Sequence, residues 1–291
     1  MNPSSAEDTS LRIRPGAPPP AMAGIRCVMM DLDGTIYEGD ALYPTSLPFF
    51  DALTRHGIAW GFVTNNTSRS IDSYVERLRG MGIPLAGRDQ VITPILSVVD
   101  AFRTDYPAFK RLFLLGTDDF RREIRSFGLE ETEDSPDDRP DAVVTAFDMS
   151  LNYGRLCRAA WWIRNGVPWF ATHPDVFCPT TERTWLVDCG AITACLETAT
   201  GIRCRCVFGK PNPDMLQVML KRLGLRPSEL LMAGDREHTD IESGLRAGVR
   251  SLRISTGVGG GTTETRADYC CADLGIFQRA LFPEDGPGPA F

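Results

Sequence analysis

Short apolar runs alternate with amphipathic stretches along most of this chain. IRCVMM runs into Asp31, IAWGFV into Thr64, CVF into Gly209 and Lys210, and LLMAG into Asp235. Apolar runs of strand length, bounded by polar clusters and separated by helix-length segments, predict an α/β protein with a parallel sheet covered by helices on both faces. Ligands of such open sheets bind at the carboxyl ends of the strands, so the four polar clusters are expected to meet at one edge. The helices that follow carry start and stop signals. Asn212 is expected to cap a helix with Pro213 in its first position, placing Met215, Leu216, Met219, Leu220 and Leu223 on one face. Thr239 with Glu242 reads as a capping box, and Gly248 as a helix end.

A second alternation lies between the second and third polar clusters. It runs RLFLLG, a helix near Asp118 to Phe127, DAVVTAF, a helix near Tyr153 to Asn165, PWFAT, and a helix near Ala191 to Ala199. That is enough for a small α/β domain inserted into the first, with a lid function over the core as one use for it. The expected plan is a core over residues 24–92 and 204–282 and an inserted cap over 93–203. The Pro-, Ser- and Ala-rich stretch 1–23 and the tail 283–291 are expected to be disordered.

Composition narrows the classes. The chain has 291 residues, with 31 basic against 38 acidic side chains and a formal charge of -7. No general positive field exists to collect nucleic acid or an anionic membrane, and RLRG near Arg77 and RREIR near Arg121 read as solvated helix faces. No run of eighteen apolar residues and no secretory leader pattern occurs, so a soluble protein is expected. The nine cysteines are odd in number and scattered, with Cys27, Cys157 and Cys195 inside apparent core elements; this fits reduced thiols and a cytoplasmic location. Cys204 and Cys206 lack a second ligand pair at zinc spacing.

The first polar cluster, DLDGT over residues 31–35, follows its strand directly. Two carboxylates one residue apart point to opposite sides unless the chain turns, which Gly34 permits. Asp31 can then attack phosphorus, while Asp33 protonates the leaving alcohol and later deprotonates water. Read alone, the same residues describe a solvated turn. A phosphate dianion approaching a carboxylate needs a divalent cation and a further positive group. Asp31, the Asp33 carbonyl and Asp235 form an oxygen-only set suited to magnesium, and Lys210 supplies the compensating charge.

DLDGT, the TNN of residues 64–66, GKPNPD from Gly209 and GDREHTDI from Gly234 resemble, in order, the four motifs of the haloacid dehalogenase superfamily. The resemblance implies a Rossmann-like catalytic core with a type C2 cap. Asp31 is implied as nucleophile, Asp33 as acid and base, and Gly34, Thr64, Asn65, Asn66 and Lys210 as the phosphate cradle. Asp31, Asp33 and Asp235 are implied as metal ligands. Asp240 is implied as a support to Lys210 or to metal-bound water, although a charge in a first helical turn is its alternative reading.

The wording DLDGTIYEGD, FVTNNTSRS, FATHPDVFCPT and GAITACLETATG is similar to subclass IIA, the NagD-like group that includes nitrophenylphosphatase-like enzymes, from about Gly24 to Leu274. This implies a magnesium-dependent phosphatase of a small phosphorylated metabolite such as a sugar phosphate, phosphoglycolate or a nucleotide. A homodimer through the cap is implied as well. His173 stands where many relatives have Asn. His173 and Asp175 are the expected cap contacts with substrate, although His173 can equally finish a strand. Trp161, Trp162 and Trp169 can stack on a ring or fill the core. A phosphotransferase using the same aspartyl phosphate, and a silent binding or regulatory module on this fold, are the other readings.

Overall fold

The computed structural model describes residues 10–179, 184–255 and 264–286. Two compact units emerge, one built from residues 1–63, 77–90 and 219–291, the other from 64–76 and 91–218. These bounds differ from the 24–92, 93–203 and 204–282 division drawn on the sequence. Packing, not chain order, groups 64–76 and 204–218 with the inserted segment.

The first unit holds a parallel sheet. Tyr269–Cys271, Arg250–Ile254, Leu230–Gly234, Cys27–Met30 and Ala59–Val63 pair side by side in that order. Cys27–Met30 and Leu230–Gly234 are buried at every position, which is why they read as continuous apolar runs without alternation. Arg12–Ile13 adds an antiparallel edge strand against Tyr269–Cys271. Residues 1–9 of the stretch expected to be disordered lie outside the described residues. Within that stretch, Arg14 donates to the buried Asp268 at 2.6 Å and the Tyr269 hydroxyl donates to the Pro18 carbonyl at 2.9 Å. Pro-rich composition did not announce these contacts, because their partners lie some 250 residues away in sequence. Of the expected disordered tail, Pro283–Asp285 forms a helical turn and 287–291 lie outside the described residues.

The second unit holds a five-stranded, wholly parallel sheet in the order Cys206–Val207, Trp169–Ala171, Ala142–Thr145, Arg111–Leu115, Glu130–Glu131. Alternate side chains feed two cores. Leu112, Leu114, Val144 and Phe170 pack with Phe102 of the helix Pro94–Thr104 and with Phe120 and Ile124 of the helix Asp118–Ser126. Phe113, Leu115, Val143 and Trp169 pack with Trp162 and Ile163 of Tyr153–Arg164 and with Ile192 and Leu196 of Cys189–Thr200. Fully burying one such side chain is worth about 1.5–3 kcal/mol, so each face supports its helix layer independently. Trp162 and Trp169 are thus core residues, while Trp161 stays exposed.

Three local expectations change. The CVF strand joins this second sheet, next to Trp169–Ala171, and does not join the sheet that carries Asp31 and Asp235; two paired residues are too few for a pattern to name their neighbour. Cys157 and Cys195 are exposed, on the outer faces of their helices. Thr239 does not open a helix. It lies inside a wide turn, Glu237–Ile241, that runs on into the helix Glu242–Ala247. Gly248 does end that helix in the left-handed region, with φ 69°.

Candidate active site

In the first unit, Asp31 follows Cys27–Met30 and Asp235 follows Leu230–Gly234. These strands are in register neighbours, Met30 opposite Ala233, so both carboxylates leave the sheet at the same end. The Asp31 N–H extends the ladder, donating to the Ala233 carbonyl at 2.8 Å. Asp240 reaches the same place from the wide turn, where its Oδ2 accepts from the Arg236 N–H at 3.0 Å. The three carboxylates are 9%, 1% and 0% exposed, and offer oxygens within 4.8 Å of one another. Two glycines permit this crowding. A Cβ on Gly34, whose φ is +80°, would stand 2.7 Å from Asp235 Oδ2, and one on Gly234 would stand 2.4 Å from Asp240.

Three buried carboxylates so close repel one another when ionised, and desolvation adds to the cost. A hard divalent cation offsets both, and an all-oxygen donor set is what calcium or magnesium takes. The residues present therefore fit such an ion. Asp33 is exposed, in contrast to Asp31, and accepts from the Tyr37 hydroxyl at 3.4 Å. Arg77 holds that hydroxyl in turn, donating to it at 3.1 Å with its guanidinium 4.8 Å from the ring centroid.

The second unit carries the remaining motif residues. Thr64 Oγ1 accepts from the Asn66 N–H at 3.2 Å, and Asn66 Oδ1 accepts from the Ser68 N–H and hydroxyl at 2.9 and 2.7 Å, which fixes the turn after Val63. The side chain of Asn65 spans 145 residues of sequence: its Oδ1 accepts from the Lys210 N–H at 2.8 Å and its Nδ2 donates to the Lys210 carbonyl at 2.8 Å. Nδ2 also donates to Asp175 Oδ2 at 3.1 Å. Lys210 is only 4% exposed. Gly209 makes the approach possible, since at φ +74° a Cβ would stand 2.7 Å from Asn65 Oδ1. From the other side, Asp214 Oδ2 accepts the Gly209 N–H at 3.1 Å. Burial pushes the Asp214 carboxyl above the ordinary carboxylate range, against the lowering effect of its hydrogen bonds. Asn212, expected as a helix cap, donates through Nδ2 to the Val207 carbonyl at 2.7 Å.

His173 is wholly buried and held at both ring nitrogens, by Asp188 Oδ1 at 2.8 Å and the Thr172 hydroxyl at 2.9 Å. Asp188 also caps the helix Cys189–Thr200 through the Cys189 N–H. His173 thus braces the strand end on which it sits. The side-chain role of Asn65 is not legible in the sequence, because its partner Lys210 lies 145 residues away.

Residues 28–130 match the family model of haloacid dehalogenase-like hydrolases, and 207–275 match a second, HAD-hydrolase-like model. The acid sugar phosphatase of Staphylococcus epidermidis is 33% identical over 237 residues, covering 81% of this chain and 89% of that protein. The crystal structure of a 4-nitrophenylphosphatase from Thermotoga maritima superposes with a TM-score of 0.81 at 33% identity, covering 89% of this chain and 98% of that one. A glycerol phosphate phosphatase from Mycobacterium tuberculosis, solved in complex with magnesium, superposes with a TM-score of 0.78 at 32% identity over 90% of this chain and 78% of that one.

Proposed function

This chain belongs to the haloacid dehalogenase-like hydrolases and is a phosphatase of phosphorylated small molecules, and from that premise we propose a magnesium-dependent hydrolysis through an aspartyl phosphate on Asp31. The observation that supports it most is the buried trio Asp31, Asp235 and Asp240, with oxygens within 4.8 Å of one another. Asp31, the Asp33 carbonyl and Asp235 are the proposed magnesium ligands, and Asp240 is the proposed support of Lys210 or of metal-bound water. A bound magnesium ion supplies positive charge that offsets the carboxylates and the phosphoryl oxygens.

In the proposed reaction an Asp31 oxygen bonds to phosphorus as the ester P–O bond breaks, and Asp33 gives its proton to the departing alcohol. Asp33 then takes a proton from water, whose oxygen attacks phosphorus, releasing inorganic phosphate and restoring Asp31. The exposure of Asp33 suits an acid that must reach both alcohol and water. Thr64, Asn66 and the backbone of Gly34 and Asn65 are proposed to hold phosphoryl oxygens, and Lys210 to neutralise their charge. The proposed substrate class is a small phosphomonoester: a sugar phosphate or glycerol phosphate, in keeping with the names of the similar proteins, or the phosphoglycolate or nucleotide that the family resemblance implies.

The test is phosphate release from nitrophenyl phosphate and a panel of such esters, with and without magnesium, in oxygen-18 water. Label in the phosphate is expected; unlabelled phosphate together with a phosphorylated acceptor alcohol would establish a phosphotransferase instead. No turnover of any ester would leave the binding-module reading.

No helix among the described residues is long and apolar enough to cross a membrane. A cytoplasmic location is proposed on the nine cysteines, odd in number and scattered along the chain. A homodimer through the second unit is proposed on the exposed hairpin strands Phe177–Pro179 and Trp185–Val187, whose Phe177 and Trp185 rings stack at 4.6 Å in solvent. Sedimentation of Trp185→Ala against the parent tests it, a shift to monomer being the expected result.

A further inference from the structure

We propose that the side chain of Asn65 is a positioning residue for Lys210 and not a ligand of the phosphate. The inference rests on the reading above, in which Lys210 neutralises the phosphoryl group. A carboxamide has two N–H donors. Here one is given to the Lys210 carbonyl at 2.8 Å and the other to Asp175 Oδ2 at 3.1 Å. No N–H of this side chain is left for a phosphoryl oxygen. Its Oδ1 is committed as well, accepting from the Lys210 N–H at 2.8 Å.

The pair is reciprocal. The amide of Asn65 holds both the N–H and the C=O of one residue, much as a strand holds its neighbour, and so fixes the peptide planes on either side of the Lys210 Cα. Its orientation is also set. Turning the amide over would put an oxygen against the Lys210 carbonyl and against the Asp175 carboxylate, so Asp175 selects the orientation in which the clamp closes. The loop is built for this contact: Gly209, at φ +74°, leaves no room for a Cβ 2.7 Å from Asn65 Oδ1, and Asp214 holds the Gly209 N–H from the far side at 3.1 Å. Lys210, only 4% exposed, therefore starts from a backbone held on both sides of its Cα. Asp175, expected from the sequence to touch substrate, acts in this arrangement through Asn65.

A misplacement of a charged group by about 1 Å can cost roughly 10²-fold in rate. A double-mutant cycle between Asn65→Ala and Lys210→Met tests the proposal, read in kcat/KM for nitrophenyl phosphate and in the affinity for inorganic phosphate with magnesium present, measured by titration calorimetry. Positioning predicts that Asn65→Ala lowers both quantities by about 10–100-fold when Lys210 is present and by less than about 3-fold when it is Met. Calorimetry completes the cycle if turnover of the Lys210→Met protein is too slow to measure. Asn65→Asp, which keeps the acceptor and loses both donors, carries the same cycle if Asn65→Ala does not fold. Asp175→Asn should move in the same direction with a smaller loss. Equal losses with and without Lys210 would overturn this inference alone and return Asn65 to the phosphate ligands. If Lys210→Met changes neither turnover nor phosphate affinity, the role of Lys210 falls, and this inference with it.

Discussion

Two clusters in this molecule each bring three ligand-type side chains within reach of a single ion, and they are solved in opposite ways. In the second unit His173, Asp175 and Asp188 lie together. There a ring nitrogen meets a carboxylate, the other ring nitrogen meets a hydroxyl, and Asp175 and Asp188 accept from Asn65 and from a helix N-terminus. In the first unit Asp31, Asp235 and Asp240 are all acids, all buried, and crowded by glycines that admit no Cβ. The first arrangement closes on itself as structure. The second concentrates like charge in a place where water is scarce, which stores a demand for a cation. What separates the two is charge: one cluster sets a ring nitrogen against carboxylates, the other sets three carboxylates together.

Several experiments break or sharpen that contrast. The largest effect is expected for Asp31→Asn, which should lower kcat for nitrophenyl phosphate by at least roughly 10³-fold while leaving the fold intact by circular dichroism. Parent-like turnover would end the nucleophile assignment. Next, magnesium at about 100 times its Kd should raise the stability of the parent by about 2.7 kcal/mol in thermal melts, an increment that chelator removes and that Asp235→Asn lacks.

His173→Ala should do the reverse. It leaves Asp188 buried without its ring partner and should cost roughly 2–4 kcal/mol in urea unfolding, yet retain the magnesium-dependent increment. Loss of that increment would show that the two clusters are not independent. Gly34→Ala sets a side chain at φ +80° against Asp235 Oδ2. A cost of about 1–3 kcal/mol in stability and a weaker magnesium response are expected together.

The smallest effect concerns pH. The folded state raises the Asp214 carboxyl above its ordinary value of 3.8, chiefly by burial. The folded protein thus holds this proton more tightly than the unfolded chain does, so this group favours folding below 3.8 and its contribution is lost as pH rises through the raised value. Asp214→Asn should flatten that part of the stability curve, read as urea unfolding across acid pH. An unchanged slope would remove Asp214 from the account.

Legibility in the sequence follows the range of the interaction. Asp31 and Asp235 were visible because each is the next residue after a buried apolar run, and the alternation of Leu112, Phe113, Leu114 and Leu115 between two cores explains why Arg111–Leu115 reads as unbroken apolar sequence. Helices such as Asp118–Ser126, capped by Thr117, lay where spacing put them. The capping box at Thr239 misled, because a residue of good capping type can also sit within a wide helical turn that brings Asp240 to its neighbours. Pro-rich surroundings mask the strand Arg12–Ile13, and the short apolar run at Cys206–Val207 marks a strand without naming its sheet.

By itself the sequence determined the residue types available, the strand ends that carry Asp31 and Asp235, and the glycines that could turn beside them, since these depend on neighbours a few positions apart. Tertiary structure alone decided which acids share a buried space, which histidine is satisfied, and that Asn65 reaches Lys210. A hydrogen bond or a repulsion acts over a few ångströms, and no local pattern encodes a partner 145 residues away.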